Sequence, residues 1–137
     1  MSPWRLDPRL ADDTHPVAQL PLCEVRLMDD SHHPWLVLVP RVSGAVELAD
    51  LPDADQHALM REVTLASRVL RECFAPDKLN VAALGNVVPQ LHVHVVARFR
   101  GDVAWPRPVW GQAAARAYTP DGLVERVTLL RDSLART

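Results

Sequence analysis

The residues best suited to chemistry in this 137-residue chain are Gln90, His92 and His94, which occupy alternate positions. If this segment is a β-strand, the three side chains share one face, while Leu91 and Val93 point to the other. Successive members then lie about 6.6 Å apart, from a rise of roughly 3.3 Å per residue. That spacing suits two imidazoles that contact neighbouring atoms of one phosphate group. A neutral imidazole is a nucleophile, and a second one can donate a hydrogen bond to a phosphoryl oxygen.

Two other interpretations of the alternating histidines stay open at this point. The residues can be surface or hydrogen-bonded histidines without a role in chemistry, or they can supply two ligands to a metal. A metal site needs a third ligand, for example a glutamate a few residues downstream of His94. Arg98, Phe99 and Arg100 occupy that stretch instead.

Two segments before these residues have strand patterns. Residues 20–28 alternate between apolar and polar positions, which predicts a half-buried strand. Residues 35–42 (WLVLVPRV) form a nearly continuous apolar run, which is typical of a central strand covered on both faces. Pro40 fits poorly inside a sheet, so we expect the strand pairing to end or bulge there.

The histidines lie in the second half of a predicted hairpin. Residues 79–84 and 87–99 are apolar runs that flank the dipeptide Gly85-Asn86. This arrangement predicts a strand, a tight turn and a second strand.

Helical patterns fill most of the remaining chain. Residues 53–75 place apolar side chains at steps of three and four, and Thr119-Pro120-Asp121 opens a C-terminal helix. A short helical turn is expected within residues 5–15. Two strands, a helix and two more strands predict an antiparallel sheet with a helix packed on one face, which is an α+β fold.

Composition limits the possible partners. The formal net charge of −2 gives no broad electrostatic reason to bind nucleic acid or an acidic membrane. No segment approaches the length of a membrane span, and Cys23 and Cys73 are expected to be free thiols, so we predict a cytoplasmic protein. The length predicts one domain over 1–137, with an N-terminal segment at 1–18 and a C-terminal tail and helix at 101–137.

The stretch NVAALGNVVPQLHVHVVAR (80–98) resembles the signature of the histidine triad (HIT) family, in which histidines and apolar residues alternate after a hairpin. WLVLVPRV, followed by ELADL (47–51) and a long helix, is similar to that family's order of elements. The resemblance covers about 20–137. It implies a HIT-like fold, with an antiparallel sheet of about four to five strands, a long helix on one face and a C-terminal helix.

The resemblance also implies roles for the alternating residues. His92 matches the family's middle histidine, which attacks an α-phosphate and becomes transiently nucleotidylated. His94 matches the last histidine, which contacts the phosphate. Gln90 stands where the family has its first histidine, a supporting position at which glutamine can still donate and accept hydrogen bonds.

The implied activity is that of a nucleotide hydrolase or nucleotidyltransferase that acts on nucleoside phosphoramidates or dinucleoside polyphosphates. No cofactor is implied, except that Mg²⁺ can accompany a polyphosphate substrate. The implied partners are a nucleotide-type small molecule and a second copy of the chain in a homodimer. Gln90 motivates an alternative, which is a non-catalytic nucleotide-binding or protein-interaction module on the same scaffold.

Four further residues are candidates for substrate binding through the same resemblance. Gly85 and Asn86 match a loop that holds phosphate oxygens, and a plain hairpin turn is the alternative. Asn80 matches a region with a polar residue near the nucleotide. Asp29 lies near the position of a ribose-binding acid or amide, and a solvated turn residue is the alternative.

The C-terminal tail contains two tryptophans that allow two interpretations. Trp105 and Trp110 can stack on a base or cover the site, or they can pack the tail against the domain. His32 and His33 precede a proline in a predicted turn, where we expect them to be exposed.

Overall fold

Five strands form one antiparallel sheet in the order β1-β2-β3-β5-β4 in the computed structural model, which describes residues 3–137. Residues 1 and 2 of the predicted N-terminal segment lie outside the described residues. The strands are β1 (Thr14–Gln19), β2 (Cys23–Met28), β3 (Trp35–Pro40), β4 (Lys78–Ala83) and β5 (Val93–Arg98). Strand β3 lies at the centre, and β1 and β4 form the two edges. The predicted α+β fold with an antiparallel sheet is confirmed.

The two strands predicted from residues 20–28 and 35–42 form as expected. In β2, Cys23, Val25 and Leu27 are buried and alternate with partly exposed residues. All six positions of β3 are buried, and the strand ends at Pro40. Both β2 and β3 are inner strands of the sheet.

Strand β1 lacks a clear sequence signal. Its six residues, THPVAQ, include a proline and alternate only weakly. The pairing with β2 shifts register between Pro16 and Ala18, which is a β-bulge. Proline and bulges are both tolerated at a sheet edge, where one side of the strand needs no ladder hydrogen bonds.

Two long helices cover one face of the sheet. Helix α2 (Asp53–Phe74) ends at Ala75, which adopts a left-handed conformation with φ 47°. Helix α3 (Pro120–Ala135) begins after Thr119, whose side chain accepts a hydrogen bond from the Gly122 N–H. Both helices contribute to one apolar core with the inward side chains of the strands, including Val25, Leu38, Val63, Leu70, Val95 and Leu130.

A buried carboxylate ties α2 to the sheet. Glu62 accepts hydrogen bonds from the backbone N–H groups of Leu22 at 2.9 Å and Cys23 at 2.8 Å. Two charge-assisted hydrogen bonds satisfy this buried acid, which otherwise carries a large desolvation cost. Helix α2 is thereby fixed at the start of β2.

The opposite face of the sheet is covered by irregular structure. The N-terminal segment, with the short helix α1 (Pro8–Asp13), and the segment after β5 pack there on a second apolar core. This core contains Leu10, Trp35, Val37, Val39, Val88, Val96 and Val109. The even-numbered side chains of β5 face it, which places the histidines on this side.

The connection between β4 and β5 differs from the predicted tight turn. Strand β4 ends at Ala83 and β5 begins at Val93, so residues 84–92 form a long loop. Val88 is buried in the second core instead of pairing with a strand. Pro89 lacks a backbone N–H for a sheet ladder, which also favours irregular structure here. The prediction of a tight turn at Gly85-Asn86 is therefore wrong.

Cys23 and Cys73 are free thiols, and Cys23 is buried. Burial, with Glu62 nearby, holds the pKa of the Cys23 thiol well above its ordinary value. Among residues 3–137, none of the helices has the length and apolar character that crossing a bilayer requires.

Candidate active site

His92 and His94 lie together on the irregularly covered face of the sheet. His94 is in β5, between Val37 of β3 and Ala82 of β4, and His92 directly precedes the strand. The centroids of their rings are 4.9 Å apart, with an interplanar angle of 74°. The residues are only 5% and 4% exposed. The prediction that these two imidazoles share one face is confirmed.

The hydrogen bond of His92 defines which of its nitrogens is free. Nδ1 lies 2.7 Å from the backbone carbonyl oxygen of Gln90. A carbonyl oxygen only accepts, so Nδ1 carries the proton and donates. In the neutral ring Nε2 therefore holds the free lone pair, which is the nucleophilic atom of an imidazole.

In His94, Nδ1 accepts a hydrogen bond instead of donating one. The Nε1 of Trp35 donates to Nδ1 of His94 at 2.9 Å. Because an indole N–H can only donate, Nδ1 of His94 accepts and its Nε2 carries the proton. Burial, followed by the nearby charge of His92, lowers the pKa of His94 to about 4. His94 is thus a neutral hydrogen-bond donor at pH 7.

Both histidines open onto a cavity of about 400 Å³, which we call the histidine cavity. Its wall combines parts of the chain that are distant in sequence. Among them are helix α1, the first half of the loop after β4, the ring of Trp35 in β3 and the ring of Trp110 in the tail. The lining residues are Arg9, Leu10, Asp13, Met28, Trp35, Leu84, Gly85, Asn86, Val87, Val88, His92, His94 and Trp110.

The structure brings two of the predicted substrate-binding residues to the histidines. Gly85 and Asn86 both line the histidine cavity. They lie at the start of the loop that connects β4 and β5. Residues of such a loop can turn backbone N–H groups toward an anion.

The side chain of Gln90 points away from the histidine cavity. Its Oε1 accepts from the Asp7 N–H at 2.8 Å, and its Nε2 donates to the carbonyl oxygen of Arg5 at 2.7 Å. The expectation that Gln90 shares a strand face with both histidines is wrong, because β5 begins only at Val93 and the Gln90 side chain extends to the N-terminal segment. Gln90 instead ties the N-terminal segment to the loop and positions His92 through its backbone carbonyl.

Asn80 and Asp29, the other predicted substrate-binding residues, do not line the histidine cavity. The Oδ1 of Asn80 accepts from Nη1 of Arg98 at 2.7 Å. The Oδ1 of Asp29 accepts from the Tyr118 N–H at 3.0 Å. Each side chain is thus engaged in holding other parts of the chain, and the structure does not bring either one to the histidines.

Sequence reasoning missed the contribution of the N-terminal segment to the cavity. Arg9, Leu10 and Asp13 of α1 line it, together with Met28 at the end of β2. The short helix was predicted from its prolines, but no sequence signal indicates that it folds over the histidines. Leu10, an apolar residue in a mostly polar helix, is the one hint, because it is buried in the second core.

The two tail tryptophans have different surroundings. The Trp110 ring lies 5.0 Å from the His94 ring and 5.7 Å from the Trp35 ring. The guanidinium carbon of Arg98 lies over the ring of Trp105, 5.7 Å from the centroid of that ring. Trp110 is therefore part of the cavity wall, whereas Trp105 packs the tail on the sheet.

A buried ion pair holds the start of this tail. Arg98 donates from Nε and Nη2 to Asp102 at 2.8 and 3.1 Å. Burial raises the pKa of Asp102, but Arg98 and three backbone N–H groups outweigh it and hold the pKa far below its usual range. His33, expected to be exposed, is buried beside this pair, with Nδ1 3.7 Å from Asp102. Burial lowers the pKa of His33.

Within the part of the chain that the structure describes, no group of three or more histidine, cysteine, aspartate or glutamate side chains is arranged to hold a metal ion. The alternating histidines instead have hydrogen-bond partners that fix their tautomers.

Comparisons with known proteins agree with this geometry. Residues 9–101 match the HIT domain family. A histidine triad protein of Bradyrhizobium japonicum is 47% identical, with a TM-score of 0.95 over 97% of this chain and 99% of that one. A histidine triad protein of Marinobacter aquaeolei is 44% identical, with a TM-score of 0.95 over 98% of each chain.

A third structure, a histidine triad protein of Sinorhizobium meliloti, is 39% identical, with a TM-score of 0.92 over 95% of this chain and 96% of that one. No curated protein matches the sequence. The family match spans all five strands of the sheet, and the three structures cover nearly the whole chain. The chain therefore belongs to the HIT domain family.

Proposed function

We propose that this protein is a nucleotide hydrolase or nucleotidyltransferase in which His92 is the nucleophile. The observation that carries the proposal is the pair of opposite tautomers in one cavity. His92 offers a lone pair at Nε2, and His94 offers an N–H at the same atom of its own ring. Membership of the HIT domain family fits such an activity in general terms.

The reaction has two steps at one phosphorus atom. The lone pair of His92 Nε2 attacks the α-phosphorus of a nucleoside phosphoramidate or dinucleoside polyphosphate. The P–N or P–O bond to the leaving group breaks, and the leaving group departs with those electrons and takes a proton from water. Water then attacks the nucleotidyl-His92 intermediate, which releases a nucleoside monophosphate and restores neutral His92.

His94 stabilises the charge that develops on the phosphoryl oxygens. Its Nε2–H donates a hydrogen bond from a buried site, where such a bond is stronger than in water. Gly85 and Asn86 lie on the same cavity and can hold further phosphate oxygens. Donors of this kind, fixed before substrate binds, lower the barrier without reorganisation.

Gln90 stands at the first triad position by its resemblance to the family signature. Its side chain bonds the N-terminal segment, and its backbone carbonyl orients His92. The residue therefore acts on catalysis through its backbone. This arrangement is compatible with activity, although an imidazole is absent at that position.

We also propose that the protein is a homodimer that pairs through the free edge of β4. Val81 of β4 is 52% exposed, and Met60 of the neighbouring helix α2 is 65% exposed. Beside this edge lies an apolar groove of about 500 Å³ between α2 and β4. An open strand edge with apolar neighbours is a ready surface for pairing with a second strand. An antiparallel match with β4 of a second copy satisfies that edge.

A second candidate function is a nucleotide-binding module without turnover. Gln90 favours it, because the complete triad signature has histidine there. This candidate shares the histidine cavity and its ligand, so only turnover separates the two.

The test is the release of AMP from an adenosine phosphoramidate, combined with AMP affinity measured by calorimetry. We expect His92→Ala to lower turnover by about 10³-fold or more, because it removes the nucleophile. AMP affinity should change by only a few-fold. His15→Ala, a histidine paired with Asp29 outside the cavity, is the control and should keep full turnover.

Full turnover in His92→Ala contradicts the covalent mechanism. Absence of turnover in the unmodified protein, together with unchanged AMP affinity in His92→Ala, supports the binding module instead.

A further inference from the structure

Trp35 supplies the hydrogen bond that sets the tautomer of His94. It is the first residue of β3, it is buried, and its ring lies 5.7 Å from the ring of His94 at 62°. Its Nε1 is 2.9 Å from His94 Nδ1, so the indole N–H points directly at that nitrogen. The contact joins neighbouring strands, because Trp35 lies opposite Val96 on β5.

The indole restricts His94 to one of three possible states. An indole nitrogen has no lone pair to accept with, so its partner nitrogen must be unprotonated. The Nδ1–H tautomer and the doubly protonated imidazolium would each place one N–H against another. Only the neutral Nε2–H tautomer satisfies both rings.

The surrounding rings leave His94 little room to turn. Trp110 packs against it at 5.0 Å and 76°, and His92 packs on another side at 4.9 Å and 74°. Trp110 also contacts Trp35 edge-on at 5.7 Å and 89°. Rotation of the His94 ring would therefore break the bond to Trp35 and disturb this packing.

We propose that Trp35 is a positioning residue, which keeps His94 in the Nε2–H form so that the ring always presents a donor to the phosphoryl oxygen. The role of the donor rests on the proposed function, whereas the control of the tautomer does not. Without the indole N–H, part of the population would present a lone pair to an anionic oxygen and repel it. Trp35 also lines the histidine cavity, but its effect on the donor is exerted through His94.

The charged and titratable groups around His94 come from several elements. His92 faces it from the same segment, and Arg9 and Asp13 of α1 face the same cavity. His33 lies on the other side of Trp35, with 6.4 Å between the two ring centroids. A variant at Trp35 leaves all four in place, so these groups do not account for a change in the tautomer of His94 in that variant.

The decisive variant is Trp35→Phe, which keeps an aromatic ring but lacks the N–H. Histidine ¹⁵N chemical shifts distinguish the two neutral tautomers and the imidazolium. We expect wild-type His94 to be entirely Nε2–H at pH 7. In Trp35→Phe we expect a tautomer mixture and a His94 pKa raised toward its ordinary value. Trp110→Phe, which alters a ring on the same imidazole, should leave the tautomer unchanged.

Steady-state kinetics with the adenosine phosphoramidate give the second readout. We expect Trp35→Phe to lower kcat by at least 10-fold, because it weakens one donor in the transition state, and to change KM by less than about threefold. Loss of packing alone would leave the tautomer single. Replacement of Trp35 by benzothienylalanine, which keeps the indole shape without the N–H, tests the same point if the phenylalanine variant fails to fold.

The outcomes separate this inference from the proposed function. An unmixed Nε2–H tautomer in Trp35→Phe, or a shifted tautomer with wild-type kcat, overturns the positioning role. A wild-type protein that turns over no substrate contradicts the proposed function. In that case the ¹⁵N shifts still decide whether Trp35 fixes the state of His94.

Discussion

Two neighbouring imidazoles acquire different chemistry because the partner of each Nδ1 differs. A backbone carbonyl accepts from His92, and an indole N–H donates to His94. A free lone pair at Nε2 of one ring and an N–H at Nε2 of the other are thereby obtained from the same residue type, two positions apart. Neither assignment depends on the overall charge of the protein, which is close to neutral.

The neutral state of His94 makes folding depend on pH. Its folded pKa of about 4 lies below the unfolded value of 6.5, because burial and then the charge of His92 disfavour the imidazolium. As the pH falls, the unfolded chain therefore binds more protons than the folded protein does. The stability that neutral His94 contributes is fully present above pH 6.5. It is lost progressively as the pH falls toward 4, by up to about 3 kcal/mol.

Urea unfolding at pH 7 and pH 4.5 measures this effect. We expect the loss of stability on acidification to be smaller in His94→Gln, whose amide oxygen can accept from Trp35 but does not titrate. His33 has a lowered pKa and is unchanged in both proteins, so its contribution cancels. Equal losses in the two proteins would show that His94 is not held neutral by the fold.

One glutamine, Gln90, connects the N-terminal segment to the site. Gln90 makes two hydrogen bonds to the backbone of residues 5 and 7, and the helix that follows forms one wall of the histidine cavity. The glutamine thus connects the loop that carries His92 to the segment that covers it.

Replacement of Gln90 by alanine should release this segment. We expect the amide of Asp7 to exchange with solvent about tenfold faster, because its acceptor is lost. Hydrogen exchange followed by NMR measures this rate, and Gln112→Ala, at an exposed tail residue, provides the matched control. Unchanged protection of Asp7 would mean that other contacts hold the segment.

The elements differ in how well the sequence predicts them. The alternation in 20–28, the apolar run in 35–42 and the helical stripe in 53–75 each produce the expected element, because burial is repeated at a fixed period. Strand β1 is missed, since its edge position allows a proline and a bulge. Residues 87–92 are mistaken for the start of a strand because Val88 is apolar for a different reason, which is packing in the second core.

The same reasoning explains which parts of the candidate site could be predicted. The two histidines were found because strand periodicity relates neighbours in sequence. The cavity walls contributed by Arg9, Asp13 and Trp110 depend on segments far from the histidines in sequence. Tertiary packing brings these segments to the histidines, so no local periodicity of the sequence predicts their position.

The whole molecule is a sheet with two different faces. One face carries both long helices and the main core. The other face is covered by short irregular segments that leave the histidine cavity open. A site on the second face can differ in its walls without disturbing the main core.

The proposed homodimer pairs through the free edge of β4. We expect Val81→Arg to raise the dimer dissociation constant by at least tenfold, because it places a charge in an apolar strand contact. Val124→Arg is the control, since this residue on α3 is 66% exposed and lies away from the edge. Sedimentation velocity across a concentration series measures both. Unaltered association in Val81→Arg would exclude this edge as the interface.

The covalent intermediate on His92 is tested most directly by intact-protein mass spectrometry after rapid quenching with an adenosine phosphoramidate. We expect the wild-type protein to gain the mass of one adenylyl group and His92→Ala to gain none. Peptide mapping should place the group on His92. An equal adduct on His92→Ala, or release of AMP without any adduct on the wild type at any quench time, would contradict the nucleophilic role of His92.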